Sequence, residues 1–160
     1  MRTILSLLVC CILHVALGAT VEMRHTHGVF YPDLKQQPIL QLKITGEPGE
    51  KITKLEFIDS KTTNPADIQM ARLSTSGKWN GYTHNTNKHV QEKGKAKLNK
   101  KGRFSFDVDI ELGSEPVYYW LSYDIGRGAK RGNLIDALCP RVTLGDGSKI
   151  KPKLKRAKAI

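Results

Sequence analysis

Apolar and polar positions alternate with a period of two along most of this chain, and no convincing helical period replaces it. Residues 103–112 are the clearest case: Phe104, Phe106, Val108, Ile110 and Leu112 share one face, and Ser105, Asp107, Asp109 and Glu111 share the other. That is the pattern of a half-buried strand. Residues 38–44 set Leu40, Leu42 and Ile44 against Gln41 and Lys43, and residues 52–58 set Leu55 and Phe57 against Lys54 and Glu56. Residues 68–75 alternate more weakly through Ala71 and Leu73, which predicts a more polar strand near a sheet edge. Residues 138–144 and 149–154 read as two more strands, the last confined to an edge because Pro152 has no N–H to donate. One run departs from alternation. Residues 117–125 are apolar or aromatic on both faces, Val117, Tyr119, Leu121, Tyr123 and Ile125 against Tyr118 and Trp120, and read as a central strand covered on both sides.

Turn chemistry separates these runs. Gly46-Glu47-Pro48-Gly49, Thr62-Thr63-Asn64-Pro65-Ala66-Asp67 and Gly145-Asp146-Gly147-Ser148 all carry the residues that favour tight turns. Gly113-Ser114-Glu115-Pro116 is short enough for a hairpin, so residues 103–112 are expected to pair with the central strand. About seven to eight short strands with such connections predict an all-β fold, an antiparallel β-sandwich of Ig-like or jelly-roll-like type, over residues 38–154. Residues 19–37 read as an extended lead-in and residues 155–160 as a basic tail.

The N-terminus has the form of a secretory signal over residues 1–18: Arg2, an apolar run from Ile4 to Val15, then Ala16-Leu17-Gly18 with small residues at the cleavage positions. The run is shorter than the roughly 20 apolar residues of a membrane span, so no transmembrane segment is expected after cleavage, and the product is expected to be secreted or periplasmic. Val9 before Cys10 is too large for a lipoprotein signal. Cleavage leaves 160 − 18 = 142 residues, the size of one domain. Cys139 is then the one remaining cysteine, so stability rests on the core and not on a disulfide; its expected place is a buried strand position.

Charge adds a bias in partners. The chain has 26 Lys and Arg against 15 Asp and Glu, a net charge of +11. The excess clusters around residues 93–103, 127–131 and 149–158. Such a field favours polyanions or simply keeps the protein soluble. Nucleic acid is disfavoured, because Lys outnumbers Arg and the tail lacks aromatic rings on which bases could stack.

Candidate chemistry is sparse. No P-loop, H-E-x-x-H motif, serine elbow or paired C-x-x-C occurs, and the glycine-rich stretch 126–133 has no lysine followed by Ser or Thr after its last glycine, as a phosphate cradle requires. Asp124 and Asp136 read as turn or capping carboxylates. The His25-Thr26-His27 pair lacks a third ligand unless His84 or His89 lies nearby, so no metal or other cofactor is expected. The one interval with binding character is the long polar stretch 77–101. Trp79 and Tyr82 offer flat rings for the apolar face of a sugar and Asn80 and Asn85 offer amides, with Lys88, Arg127 and Arg131 as polar or charged contacts. The competing role for Trp79 is to cover the end of the core.

At Thr62-Thr63-Asn64 with Asp67-Ile68, then Tyr119-Trp120-Leu121-Ser122-Tyr123-Asp124-Ile125, Gly132-Asn133, Asp136-Ala137, Cys139 and Val142-Thr143-Leu144, the chain resembles the β-sandwich module N-terminal to the BNR-repeat propeller of secreted bacterial sialidases. These positions span about residues 39–154 in the same order. The resemblance implies a non-catalytic module that contributes to carbohydrate binding and packs beside a propeller. Sialylated or sulfated glycans and such a propeller are the partners it implies. The 160 residues hold no S-x-D-x-G-x-T-W Asp box and none of the propeller's arginine cluster or Tyr/Glu pair, so no catalytic residue carries over and the chain is not expected to be an enzyme. The alternatives are a basic scaffold protein docking on an acidic partner or anionic surface, and a remnant of a sialidase.

Overall fold

The computed structural model describes residues 18–26, 30–82 and 90–155. They form the expected all-β sandwich. Ten strands follow one another as β1 (Thr20–His25), β2 (Gln37–Thr45), β3 (Lys51–Ile58), β4 (Ile68–Gly77), β5 (Gln91–Ala96), β6 (Arg103–Glu111), β7 (Val117–Ile125), β8 (Leu138–Leu144), β9 (Lys149–Ile150) and β10 (Lys153–Leu154). The larger sheet runs β10-β1-β2-β7-β4-β5 and the smaller β6-β3-β8-β9. Every pairing is antiparallel except β1 with β10.

β7 is the central strand that its double-sided apolarity predicts. It lies between β2 and β4, placing Leu121 level with Leu40 and Leu73 and Tyr119 level with Leu42. Tyr119, Leu121, Tyr123 and Ile125 enter the core. From the smaller sheet, Phe57 stacks on Phe104 at 5.4 Å between ring centres and meets Phe106 edge-on at 5.8 Å. Phe104 in turn meets the Tyr123 ring at 6.1 Å, which ties the two sheets together.

Three expectations need correction. β6 does not form a hairpin with β7: it pairs with β3, Phe104 level with Phe57 and Phe106 level with Leu55, and residues 112–116 cross between sheets. The cause is apolar burial. Side by side in one sheet, the apolar faces of β6 and β7 would both need a cover from elsewhere, whereas in opposite sheets each covers the other. β4 lies one strand in from an edge, near it as its weak alternation predicts, with β5 outside it. β5 falls in the interval read as loop; its exposed Gln91, Glu92, Lys93 and Lys95 give no apolar alternation, and such charged residues suit an edge that must resist further pairing. Gly94 stands level with Leu73 where a Cβ would come within 3.1 Å of the Phe106 ring. Residues 149–154 are not one strand either. Pro152 divides them into β9 at the edge of one sheet and β10 at the edge of the other.

The expected lead-in contributes β1, whose six residues pair along β2 from Thr20 with Thr45 to His25 with Leu40. Cys139 is fully buried in β8, and burial pushes its thiol up to about 12. Little thiolate forms at neutral pH, so Cys139 should resist iodoacetamide in the native protein and react once denaturant is added, as read by mass spectrometry. Labelling of the native state at the denatured rate would show that the strand opens.

The register sorts the connections to two ends. Residues 46–50, 78–82, 112–116 and 145–148 gather at one end, beside the start of β7, and residues 30–36, 59–67, 97–102 and 126–137 gather at the other. The outer face of the smaller sheet is a lattice of exposed ion pairs, Lys51 with Asp109, Lys54 with Asp107 and Arg141 with Glu56. The outer face of the larger sheet is different in kind.

Candidate functional site

Strand parity places Tyr118, Trp120, Ser122 and Asp124 of β7 on the outer face of the larger sheet. Beside them lie Arg72, Ser74 and Ser76 of β4 and Gln41 and Lys43 of β2. An outer face is normally wet, yet Trp120, Ser122 and Asp124 are buried. The cover comes from the chain that follows β4. Tyr82 folds back so that its ring lies 5.3 Å from that of Trp120, and its hydroxyl donates to the Gln36 carbonyl at 3.0 Å. Burial raises the Tyr82 hydroxyl above its ordinary range, so it remains a neutral donor.

Below Tyr82 lies a charged pair. The Arg72 guanidinium grips both oxygens of Asp124, with Nε at 2.9 Å from each and Nη2 at 2.6 Å from Oδ2, while Nη1 reaches Glu92 at 2.7 Å. The Gln36 N–H also donates to Asp124 at 2.9 Å. Burial alone would push the Asp124 carboxyl up, but the hydrogen bonds from Arg72 and Gln36 and the Arg72 charge outweigh it, and the carboxyl lies below its ordinary value. The Asp124 hydrogen bonds hold the guanidinium protonated far above neutral pH. Both charges are thus consumed internally, and this pair braces the face without offering it a reactive group.

At the other side of Trp120 polar and aromatic groups gather around a pocket. The Trp120 Nε1–H donates to the Ser76 hydroxyl at 2.9 Å, and that hydroxyl donates to the Trp79 carbonyl at 2.7 Å. One serine therefore fixes both tryptophans. Gly81 is required beneath the Trp79 indole, because a Cβ there would collide with the ring. Trp79 is 43% exposed: it does not seal the core, and it presents its indole at the surface. Asn80 is exposed and accepts a hydrogen bond from Gln41 at 2.6 Å. Asn80, Gln41 and Trp120 line a pocket of about 290 Å³ with Arg24, His25 and Thr26. Arg24 makes no ion pair among the described residues, while His25 Nδ1 stands 2.9 Å from Asp136 and the Thr26 hydroxyl donates to the Pro38 carbonyl.

The structure thus brings Trp79, Asn80 and Tyr82 together at one site. Asn85 and Lys88 lie outside the described residues. Arg127, paired with Asp33 at 3.2 Å, and Arg131 lie in the loop after β7. The nine residues of β7, about 26 Å, separate that loop from the level of Trp79. The sequence reading missed Trp120, Arg24, Gln41 and Ser76. A signal for Trp120 was present: its face of β7 also carries Ser122 and Asp124, a mixture suited to a partly covered face and not to a second core. No group of three or more potential metal ligands occurs among the described residues, and His27, His84 and His89 lie outside them.

No family model matches the chain, and no curated protein matches it in sequence. Among solved structures it is similar to the Hadza microbial sialidase Hz136, with a TM-score of 0.64 and 16% identity. The alignment covers 82% of this chain and 29% of that one. The likeness establishes a fold shared with part of a sialidase chain, and at this identity it speaks for architecture alone.

Proposed function

We propose that this chain is an exported, non-catalytic module of sialidase type that binds carbohydrate on the outer face of its larger sheet. The observation that carries this reading is the Trp120 pocket: an indole floor, two amides from Gln41 and Asn80, an Arg24 with no ion pair among the described residues, and next in the chain to Asn80 an exposed Trp79, whose backbone is tied through Ser76 to Trp120. Flat rings cover the apolar face of a sugar, and amides and guanidinium satisfy its hydroxyls or a carboxylate. A volume of about 290 Å³ suits one sugar residue. Arg24 would give carboxylated sugars an advantage over neutral ones, so sialylated glycans lead the list of ligands and sulfated ones follow. The resemblance to sialidase N-terminal modules and the fold shared with a sialidase chain support the same reading.

The test is binding of the purified protein to sialylated, sulfated and neutral glycans at low and high salt. Selective binding to a sialylated glycan that persists at high salt is the expected result, since stacking is little screened. Binding to every polyanion alike and lost with salt would overturn it.

A further inference from the structure

We propose that the end of the sandwich formed by residues 30–36, 59–67, 97–102 and 126–137 docks on an anionic lipid surface. Tyr31, Leu34 and Leu134 enter the headgroup layer, and the surrounding cations hold lipid phosphates. This surface uses other residues than the Trp120 pocket, which it meets where His25 contacts Asp136, and it does not depend on the carbohydrate reading.

Topology concentrates two unusual features at this one end. The first is apolar. Tyr31 is 53% exposed, Leu34 44% and Leu134 64%, which makes three of the five exposed large hydrophobics among the described residues. Their backbones are fixed. The Tyr31 N–H donates to Gln37 at 2.8 Å, the Leu34 carbonyl accepts from Ile125 at 3.1 Å, and Leu134 exchanges hydrogen bonds with Thr63 at 2.9 and 3.0 Å. These side chains are therefore held outward at a set position.

The second feature is charge. The turn between β5 and β6 is locked by the Asn99 side chain, which accepts from the Lys101 and Arg103 N–H groups at 2.9 and 3.0 Å, and by Gly102 at φ 69°. It presents Lys97, Lys100 and Lys101 along a cleft of about 550 Å³ shared with Asp59, Pro65, Ala66, Ile68 and Gln69. Lys130 and Arg131 stand on the neighbouring loop, and none of these five cations makes an ion pair among the described residues. Of the carboxylates of this end, Asp33 is exposed and pairs with Arg127 at 3.2 Å, and the others are turned to internal partners: Asp59 accepts from the Thr62 N–H, Asp67 from Asn64 and Asn133, and Asp136 from Ser60. The opposite end carries Glu47, Glu50, Glu115 and Asp146, with Lys78 already paired to Glu115 at 2.6 Å.

A lipid surface accounts for both features. Lysines act as point charges toward phosphate, and leucines and an amphipathic tyrosine gain free energy by entering the interface. A sulfated polysaccharide would use the charges but gives Leu34 and Leu134 no apolar medium. The five larger-sheet strands from β1 to β5 span about 19 Å, so loops from both edges can touch a planar surface at once.

The experiment is co-sedimentation of the exported protein, its N-terminus established by mass spectrometry, with phosphatidylcholine vesicles with and without about 30% phosphatidylglycerol. Wild type should sediment only with the anionic vesicles. Lys100→Gln with Lys101→Gln should weaken this roughly 30-fold, at about fivefold per charge. Leu34→Ser with Leu134→Ser, which keeps every charge, should weaken it at least tenfold. Trp79→Ala should leave it unchanged, and circular dichroism of each variant separates lost binding from lost fold. All variants share the wild-type N-terminus, so that segment cancels in the comparison. Vesicle binding that survives the double leucine substitution would overturn the proposal, as would absence of vesicle binding beside tight binding to a sulfated polysaccharide.

Discussion

Arg72→Ala destabilises the fold by about 3–5 kcal/mol at neutral pH, measured as a fall in the urea midpoint with an unchanged slope. The expectation follows from what is left behind. The Asp124 side chain is 8% exposed and the Arg72 side chain 14%. Removing the guanidinium therefore strands a carboxylate under Tyr82 that water cannot reach. The sign with pH is fixed by the same geometry. In wild type the Asp124 carboxyl lies below its ordinary value, so the pair's contribution is present above the unfolded carboxyl value of about 3.9. It is lost as pH falls through the lower folded value. In the variant the Gln36 N–H bond remains but the Arg72 bonds and charge are gone, so burial is less opposed and the carboxyl moves up. The gap between variant and wild type should then narrow on acidification, because a protonated Asp124 needs no cation. Arg72→Met with Asp124→Leu should recover most of the loss, since an apolar pair of similar volume carries no stranded charge. A single-variant cost under about 1 kcal/mol, flat with pH, would mean the pair behaves like an exposed surface bridge.

Trp79→Ala and Trp120→Ala separate recognition from stability. Trp79 is 43% exposed, so its removal should cost about 1 kcal/mol or less in folding. A sugar lying on one face of that ring covers on the order of 100 Å², worth about 2 kcal/mol, or roughly 30-fold in affinity. Trp120 is 7% exposed; its removal opens a cavity beneath Tyr82, costs about 3–5 kcal/mol in stability, and deletes the pocket floor as well. The expected pattern is loss of glycan affinity in both variants and a large fall in melting temperature in the second alone, read by titration calorimetry and thermal denaturation. Unchanged affinity in folded Trp79→Ala would remove Trp79 from the site. Unchanged affinity in folded Trp120→Ala would refute the pocket altogether.

These two results test opposite parts of one face, and that face shows how far a sequence can be read. Alternation in residues 103–112 and the double-sided run at residues 117–125 determined the fold class, because burial of one or both strand faces writes itself directly into the order of apolar residues. Cys139 was legible for the same reason. The aromatic and amide character of residues 79–82 was also legible, as side chains that a solvated loop has no need of. What the sequence left open was adjacency. That β6 faces β7 across the core and does not pair beside it was decided by which apolar surfaces cover each other. β5 was invisible because an edge strand with Gly94 against Phe106 needs no apolar alternation. Trp120 became a pocket floor only when Tyr82 and Asn80, about forty residues earlier in the chain, folded over it. The segregation of cations to one end likewise depends on which turns share that end. A strand's period is local and is carried by its own residues, whereas a site or a charged face is made by elements distant in sequence, and only tertiary packing brings them together.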